Sequence, residues 1–494
     1  MIPRTLRSAL VLAAALAPAA LAAQAPQSTP IPETPAVRRA RQLLALWNAP
    51  PTRAAYTAFV DSALTPAFRS QVPMEEHVEA LFEMGNNLGG ADSVVVRAAT
   101  DTSATLLVRS RVSGNWATVS VAVAPDAGHR IARPMQVRGA QIEGAAPRPR
   151  PASPEAAGRE LDAFARRLAE ADAFAGGVLV GQNGRILFQN AYGPASRELD
   201  VPNRVNTRFN LGSINKMLTT VSILQLMEGG KLTLEDPVSK WLPGVLRDDV
   251  ASKIRIRHLL THTSGLGDFL FLPEMRRLNP TQFRSIADYL ARVKNDTLRF
   301  EPGSRWAYSN TGFLLLGAIV EKASGKGYED YVREHVFAPA GMTDTEWPYF
   351  DQAPRNVAFG YERGLGSAGV VWSSNRYNLP VHGSPAGGGV STVADMFRFL
   401  EALHGNRLLK PETTQLMLSA KPEMNSPQYG FGTQIFPDGA VGHTGGGPGT
   451  ASWISLDRRT GLVVVALGNV VGQTGAVVRR AKELFAPPAT PPAN

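Results

Sequence analysis

Ser213 and Lys216 stand three residues apart in Ser213-Ile214-Asn215-Lys216, and no other serine of the chain has a lysine at that spacing. On a helix the two side chains share a face. A serine hydroxyl is a weak nucleophile until a neighbour accepts its proton, and a lysine can do so once burial brings its pKa toward neutrality. Alone, the spacing is one that chance readily supplies. Around it, Asn210-Leu211-Gly212 reads as a turn. Ile214, Met217, Leu218, Val221 and Leu224 then recur at helical spacing, predicting a helix with one buried face that stops at Gly229-Gly230.

Two further stretches could supply partners. Tyr308-Ser309-Asn310 is the chain's single Tyr-x-Asn. A tyrosine just before a helix can offer its hydroxyl to a cleft, where a cationic neighbour would favour phenolate and make it a proton shuttle. The bland alternative is a turn with Asn310 as helix cap. His443-Thr444-Gly445-Gly446-Gly447 ends an expected strand, and its small residues would let a substrate backbone lie alongside; otherwise it is a glycine-rich loop. His262 and Asp268 invite a Ser-His-Asp triad, but no Gly-x-Ser-x-Gly elbow accompanies them, so none is assigned.

The elements that position these residues follow from pattern. At 494 residues the chain allows two to three domains, and 44% hydrophobic with 19% charged residues describes a globular protein. Arg4 and Arg7 precede an apolar run from Ala9 to Ala22, so residues 1–23 read as a signal peptide and the mature chain as exported, periplasmic or secreted. Pro18 and the shortness of that run argue against a permanent membrane span. The absence of cysteine excludes disulfides, thiol catalysis and cysteine-held metals. The net charge of +9 is scattered, with no basic strip interleaved with aromatics, so nucleic acid is not an expected partner.

Residues 24–36 read as a disordered tether. Residues 37–143 read as a small α+β domain: helices over 37–47, 53–64 and 74–88, then strands over 93–97, 105–112, 116–123 and 130–137. That order loosely resembles cone-shaped NTF2-like or cystatin-like accessory domains. Glu75, Glu76, His77 and Glu79 read as a solvated helix face rather than a metal site. A proline-rich linker, 144–154, leads to a second domain, 155–486, and a disordered tail, 487–494. The second domain has a helix over 155–171 and a hairpin of 177–181 and 185–190 through Gln182-Asn183-Gly184. A helical middle follows, then strands over 429–435, 440–444, 450–456 and 462–467 and a helix over 473–485. Strands at both chain ends imply one antiparallel sheet flanked by N- and C-terminal helices, beside an all-helical lobe.

Ser-x-x-Lys, Tyr-x-Asn and His-Thr-Gly in that order, about 90 and then about 130 residues apart, resemble the penicillin-recognising serine hydrolases. The similarity is to the branch holding class C β-lactamases, D-alanyl-D-alanine carboxypeptidases and β-lactamase-fold esterases. His258-Leu-Leu-Thr-His-Thr-Ser-Gly-Leu266, Glu301-Pro302-Gly303 and Gly387-Gly-Gly-Val-Ser-Thr392 strengthen it. The resemblance covers residues 155 to 485 and implies a cofactor-free, metal-independent hydrolase. It implies Ser213 as the acylated nucleophile, Lys216 as its activator and Tyr308 as proton relay, with Lys216 and Tyr308 both open as principal base. It further implies Asn310, His443, Thr444 and Gly445 as substrate-binding residues, and the N–H groups of Ser213 and Gly446 as an oxyanion hole.

One departure from the family is informative. Many members carry lysine in Lys-Thr-Gly where this chain has His443, and a neutral histidine offers a hydrogen bond and only part-time charge to a substrate carboxylate. Esters or D-amino-acid amides and peptides are therefore the expected small-molecule substrates, ahead of β-lactams. A non-turnover sensor of cell-wall peptides or penicillin, a true class C-type β-lactamase, and an N-terminal domain that is itself the functional module stand as alternatives. Oligomeric state is left open.

Overall fold

A computed structural model describes residues 33–140 and 150–486, apart from Ala127 and residues 273–274 and 276–278. The expected signal peptide and tail, with most of the expected tether and linker, lie outside the described residues. Helices begin at Pro35 and Pro154, taking up the ends of the tether and linker, each proline at the start of its helix where a missing N–H costs nothing.

The N-terminal region comprises helices α1 (Pro35–Asn48), α2 (Arg53–Ala63) and α3 (Met74–Leu88) against an antiparallel meander. Its strands are β1 (Ala91–Ala99), β2 (Ser103–Ser110), β3 (Trp116–Ala122) and β4 (Gln136–Ala140), in that spatial order. Thr34 and Thr52 cap α1 and α2 through their hydroxyls, and α3 ends on Gly89 at φ +73°. Two expectations fail here. The last strand starts at Gln136 rather than Arg130, because Pro134 cannot donate to a ladder and only Ile131 bridges before it. The helix face is solvated at Glu75 and Glu76 but not at His77 and Glu79, which are buried, His77 bonding the Arg69 carbonyl at 3.1 Å and Glu79 meeting Arg53 at 3.2 Å.

The second region is built on a six-stranded antiparallel sheet. After helix α4 (Pro154–Glu170) come β5 (Gly176–Gln182) and β6 (Arg185–Tyr192). The chain then runs through helices α5 (Asn215–Glu228), α6 (Ile256–Leu260) and α7 (Asn310–Ser324), a hairpin of β7 (Tyr361–Gly366) and β8 (Gly369–Ser374), and helix α8 (Val393–His404). It returns to the sheet as β9 (Gln434–Ile435), β10 (Val441–Gly447), β11 (Thr450–Asp457) and β12 (Leu462–Gly468), and ends in helix α9 (Thr474–Phe485). The spatial order β9-β10-β11-β12-β5-β6 joins the two chain ends through β12 and β5, as the strand pattern predicted. Side chains alternate along β12: Val463, Val465 and Leu467 face the cluster holding α5, α7 and α8, while Leu462, Val464 and Ala466 face α4 and α9. A strand covered on both faces reads as one unbroken apolar run, which is what 462–467 is.

Helix α5 lies between this sheet and the helical lobe, so it is buried around its whole girth rather than on one face. Its hydroxyls turn inward onto carbonyls, Ser222 to Leu218 at 3.1 Å and Thr219 to Pro385 at 2.7 Å. The expected strand over 429–435 shrinks to two residues, because Gly432 takes φ +57° where it packs on Thr220. The β7–β8 hairpin interrupts the stretch expected to be a helical middle and sets Leu365 into the core of the N-terminal region, where Arg53 donates to the Leu365 carbonyl.

Gly317 on α7 lets the segment around residues 383–389 close onto the helical lobe, since a Cβ there would overlap the Pro385 ring. Gly317→Ala is expected to cost about 1–3 kcal/mol by overpacking. Urea unfolding would read this as a lower midpoint at unchanged slope.

Candidate active site

Ser213 sits in a short 3-10 turn, Gly212–Ile214, that feeds directly into α5 at Asn215. The turn depends on Gly212 at φ +51°, and the Asn210 side chain fastens it by accepting from the Gly212 N–H at 2.8 Å. Leu211 and Gly212 press against the end of β10: a Cβ on Gly445 would overlap the Leu211 carbonyl, and one on Gly212 would stand 2.9 Å from the Gly446 nitrogen. Bare backbone on both sides thus brings the Gly446 N–H beside the turn that carries Ser213. Space above Gly446 and Gly447 is open.

Lys216 is wholly buried, and its Nζ lies 3.0 Å from Ser213 Oγ, 2.7 Å from Asn310 Oδ1 and 2.7 Å from the Ala386 carbonyl. Burial lowers its pKa from 10.5 to about 7, and the Asp268 charge holds it from falling further. A neutral amine has two N–H donors and one lone pair. Two carbonyl oxygens take the donors, so the lone pair is left facing the Ser213 hydroxyl.

Asn310 opens α7, capped by Ser309, and Asp268 orients its amide: Oδ2 accepts from Asn310 Nδ2 at 2.7 Å and from its backbone N–H at 3.1 Å. Burial raises the Asp268 pKa, with three donated N–H bonds and Lys216 pulling the other way. Asp268 therefore belongs to the asparagine and lysine, not to a triad. His262 has its own task. It holds φ +59°, accepts from the Ser309 N–H at 3.1 Å through Nδ1, and packs at a tilt on Tyr308 with ring centroids 4.2 Å apart.

Tyr308 is half-buried against His262, with Lys216 Nζ 4.9 Å from its ring centre. Burial raises its pKa, although a hydrogen bond with Ser213 works against this. The expectation that a cationic neighbour favours phenolate is thus reversed: desolvation outweighs the neighbour, and Tyr308 is a phenol at neutral pH. His443 corrects a second expectation. It is buried, its Nε2 bonds the Tyr429 hydroxyl at 2.9 Å and its Nδ1 the Thr444 carbonyl at 2.6 Å, and burial beside Lys216 pushes its pKa down to about 3. It carries no part-time charge near neutrality. Thr444 is held by Gln434 Oε1, which accepts from its N–H at 3.0 Å and its hydroxyl at 3.1 Å.

The structure therefore gathers Ser213, Lys216, Tyr308, Asn310, His443, Thr444, Gly445 and Gly446 into one junction between sheet and helical lobe. Pattern reading missed the Ala386 carbonyl, the orienting role of Asp268, and the supports Tyr429 and Gln434. A backbone carbonyl leaves no mark in sequence. Asp268 could have been found as a buried acid just after the Thr-Ser-Gly-Leu stretch. Among the described residues no cluster of histidines and acids has the makings of a metal site.

An antiparallel sheet between terminal helices, with a serine and a buried lysine one turn apart where it meets a helical lobe, defines the β-lactamase/transpeptidase class of serine hydrolases. The model of the family described as Beta-lactamase matches residues 161–486, and the chain belongs to that family. The chain is similar to "Penicillin-binding protein 4*" of Bacillus subtilis, 33% identical over 328 residues that span 62% of this chain and 71% of that one. It is also similar to "Esterase EstB" of Burkholderia gladioli, 32% identical over 59% of this chain and 85% of the relative. Among solved structures, a penicillin binding protein from Bacillus halodurans superposes with a TM-score of 0.59 at 30% identity, covering 64% of this chain and 98% of that one.

Asp268→Asn removes the charge that props up Lys216 and sets one amide group against another at Asn310. The midpoint for Ser213 labelling by a fluorophosphonate is expected to move to lower pH, with a loss of about 1–3 kcal/mol in stability. A midpoint that stays in place would detach Asp268 from Lys216.

Proposed function

We propose that the chain is an exported serine hydrolase that forms an acyl-enzyme at Ser213, acting on esters and on D-amino-acid amides or peptides. The observation that carries this is the Lys216 amine, 3.0 Å from Ser213 Oγ, with both N–H donors occupied and its pKa near 7. In this reading Lys216 is the principal base. Ser213 Oγ attacks the substrate carbonyl carbon as its proton passes to Lys216 Nζ, and the oxyanion rests on the N–H groups of Ser213 and Gly446. As the bond to the leaving group breaks, the Tyr308 phenol gives that group a proton and is reprotonated from Lys216. Water then attacks the acyl carbonyl with Lys216 again accepting a proton, the bond from the acyl carbon to Ser213 Oγ breaks as that proton passes to Oγ, and the carboxylic acid departs. Asn310, Thr444 and Gly445 line the substrate.

His443 supports the choice of substrate. A buried, neutral imidazole bonded to Tyr429 offers no charge to a β-lactam carboxylate, which a lysine in its place would. The naming of one relative as an esterase fits that reading, and the naming of others as penicillin-binding proteins fits the peptide arm. Export rests on Arg4, Arg7 and the apolar run after them; no helix among the described residues is long and apolar enough to cross a membrane. Residues 37–143, whose hydrophobic cluster also takes in Leu365 from the β7–β8 hairpin, are read as a non-catalytic accessory domain.

Ser213→Ala is expected to abolish both fluorophosphonate labelling and hydrolysis, and unchanged turnover would refute the nucleophile. In a panel of p-nitrophenyl esters, D-Ala-D-Ala peptides and nitrocefin, nitrocefin should be turned over most slowly; rapid hydrolysis would sink the substrate reading. Since the base is the neutral amine, kcat/KM should rise about tenfold per pH unit below neutrality and level off above about pH 7. Lys216→Arg should lose about 10²–10⁴-fold in rate and not recover at high pH, because a guanidinium does not deprotonate.

A further inference from the structure

Gly446 lies two residues before the turn that joins β10 to β11, and that turn is Pro448-Gly449. Proline fixes φ near −65°, and Gly449 holds φ +60°, the combination of a type II turn. In a two-residue hairpin this turn twists against the right-handed twist of its strands, so it does not hold their ends in register unaided. Support comes from outside the hairpin. Asn375 is buried just after β8, and three of its polar groups tie that point to its surroundings. Its Nδ2 donates to the Pro448 carbonyl at 2.8 Å, its Oδ1 accepts from the Gly360 N–H at 3.0 Å, and its own N–H donates to the Gly360 carbonyl at 2.8 Å. Gly360 packs so closely on Gly449 that a Cβ on either would overlap the other's backbone. The far part of the same β7–β8 hairpin is anchored through Leu365 in the N-terminal core.

We propose that Asn375 is a positioning residue that sets the Gly446 N–H for the oxyanion by clamping the Pro448-Gly449 turn. It rests on the reading of Ser213 and Gly446 as oxyanion donors. Asn375 does not touch substrate. It fixes where β10 ends, and the β7–β8 hairpin carries that constraint to the N-terminal region.

The test uses the full chain with Asn375→Asp, which removes the donor to Pro448 and keeps an acceptor for Gly360, and Asn375→Ser, which decides the matter if the aspartate variant does not fold. Each is assayed on a p-nitrophenyl ester and the matching thionoester, whose larger, weaker acceptor sulfur reports on oxyanion geometry. The expected result is a fall in kcat of about tenfold or more on the oxoester, with KM within about twofold. The preference for oxoester over thionoester should fall by about threefold or more, and the midpoint of the acid limb should stay where it is in the parent. An unchanged kcat overturns the proposal. So does an equal loss on both esters, which marks a merely structural role, and so does a shifted midpoint, which places the effect on Lys216. If the unsubstituted protein neither turns over esters nor labels at Ser213, the hydrolase reading itself has failed, and that is seen before any variant is compared.

Discussion

An ammonium group without water is the constraint on which the rest of this structure turns. Lys216 is fully buried, and desolvation alone would expel it or strip its proton. The fold supplies instead a set of partners that suits the amine: one side-chain carbonyl, one backbone carbonyl and one hydroxyl. Each requires its own scaffolding. Asn310 faces the right way because Asp268 grips its amide, and the Ala386 carbonyl arrives because Gly317 leaves room for Pro385. Asp268 also balances the burial penalty, so that Lys216 titrates near neutrality rather than far below it.

The same water exclusion sorts the remaining polar groups. Tyr308 and Tyr429 stay protonated and His443 and His262 stay neutral, all through burial. Lys216 therefore titrates near neutrality beside tyrosines and histidines whose hydrogen-bonding roles are fixed. Close backbone approach completes the arrangement: Leu211 and Gly212 meet Gly445 and Gly446 at distances that a side chain on Gly212 or Gly445 would prevent.

Legibility in the sequence followed from how local the cause was. Helix α3, the strands β5, β6, β11 and β12, and the terminal helices α4 and α9 were readable because periodicity and turn chemistry fix them nearby in the chain. Ser213, Lys216, Tyr308, Asn310 and the His443–Gly446 stretch were readable because their motifs are compact, and the structure brings them together as expected. What escaped notice depends on distant packing. The inward-facing His77 and Glu79, the all-round burial of α5 and the neutrality of His443 are each set by elements remote in sequence. The β7–β8 hairpin escaped for another reason: its partner surface is the N-terminal core, and the turn-like Gly366–Gly369 and the short Val370-Val371-Trp372 run are too brief to stand out alone.

The sheet closes between β12 and β5, and a hydrogen bond from Gln182 to the Thr460 carbonyl spans 278 residues of chain. Contacts that far apart form late, since a long loop must be closed before any of them is rewarded. During synthesis the stretch bearing Ser213 and Lys216 emerges long before β10 and β12 exist to complete its surroundings. Until then Lys216 is hydrated and keeps its ordinary affinity for a proton. The lowered proton affinity of Lys216 is thus a property of the closed fold rather than of the Ser-x-x-Lys stretch that carries it.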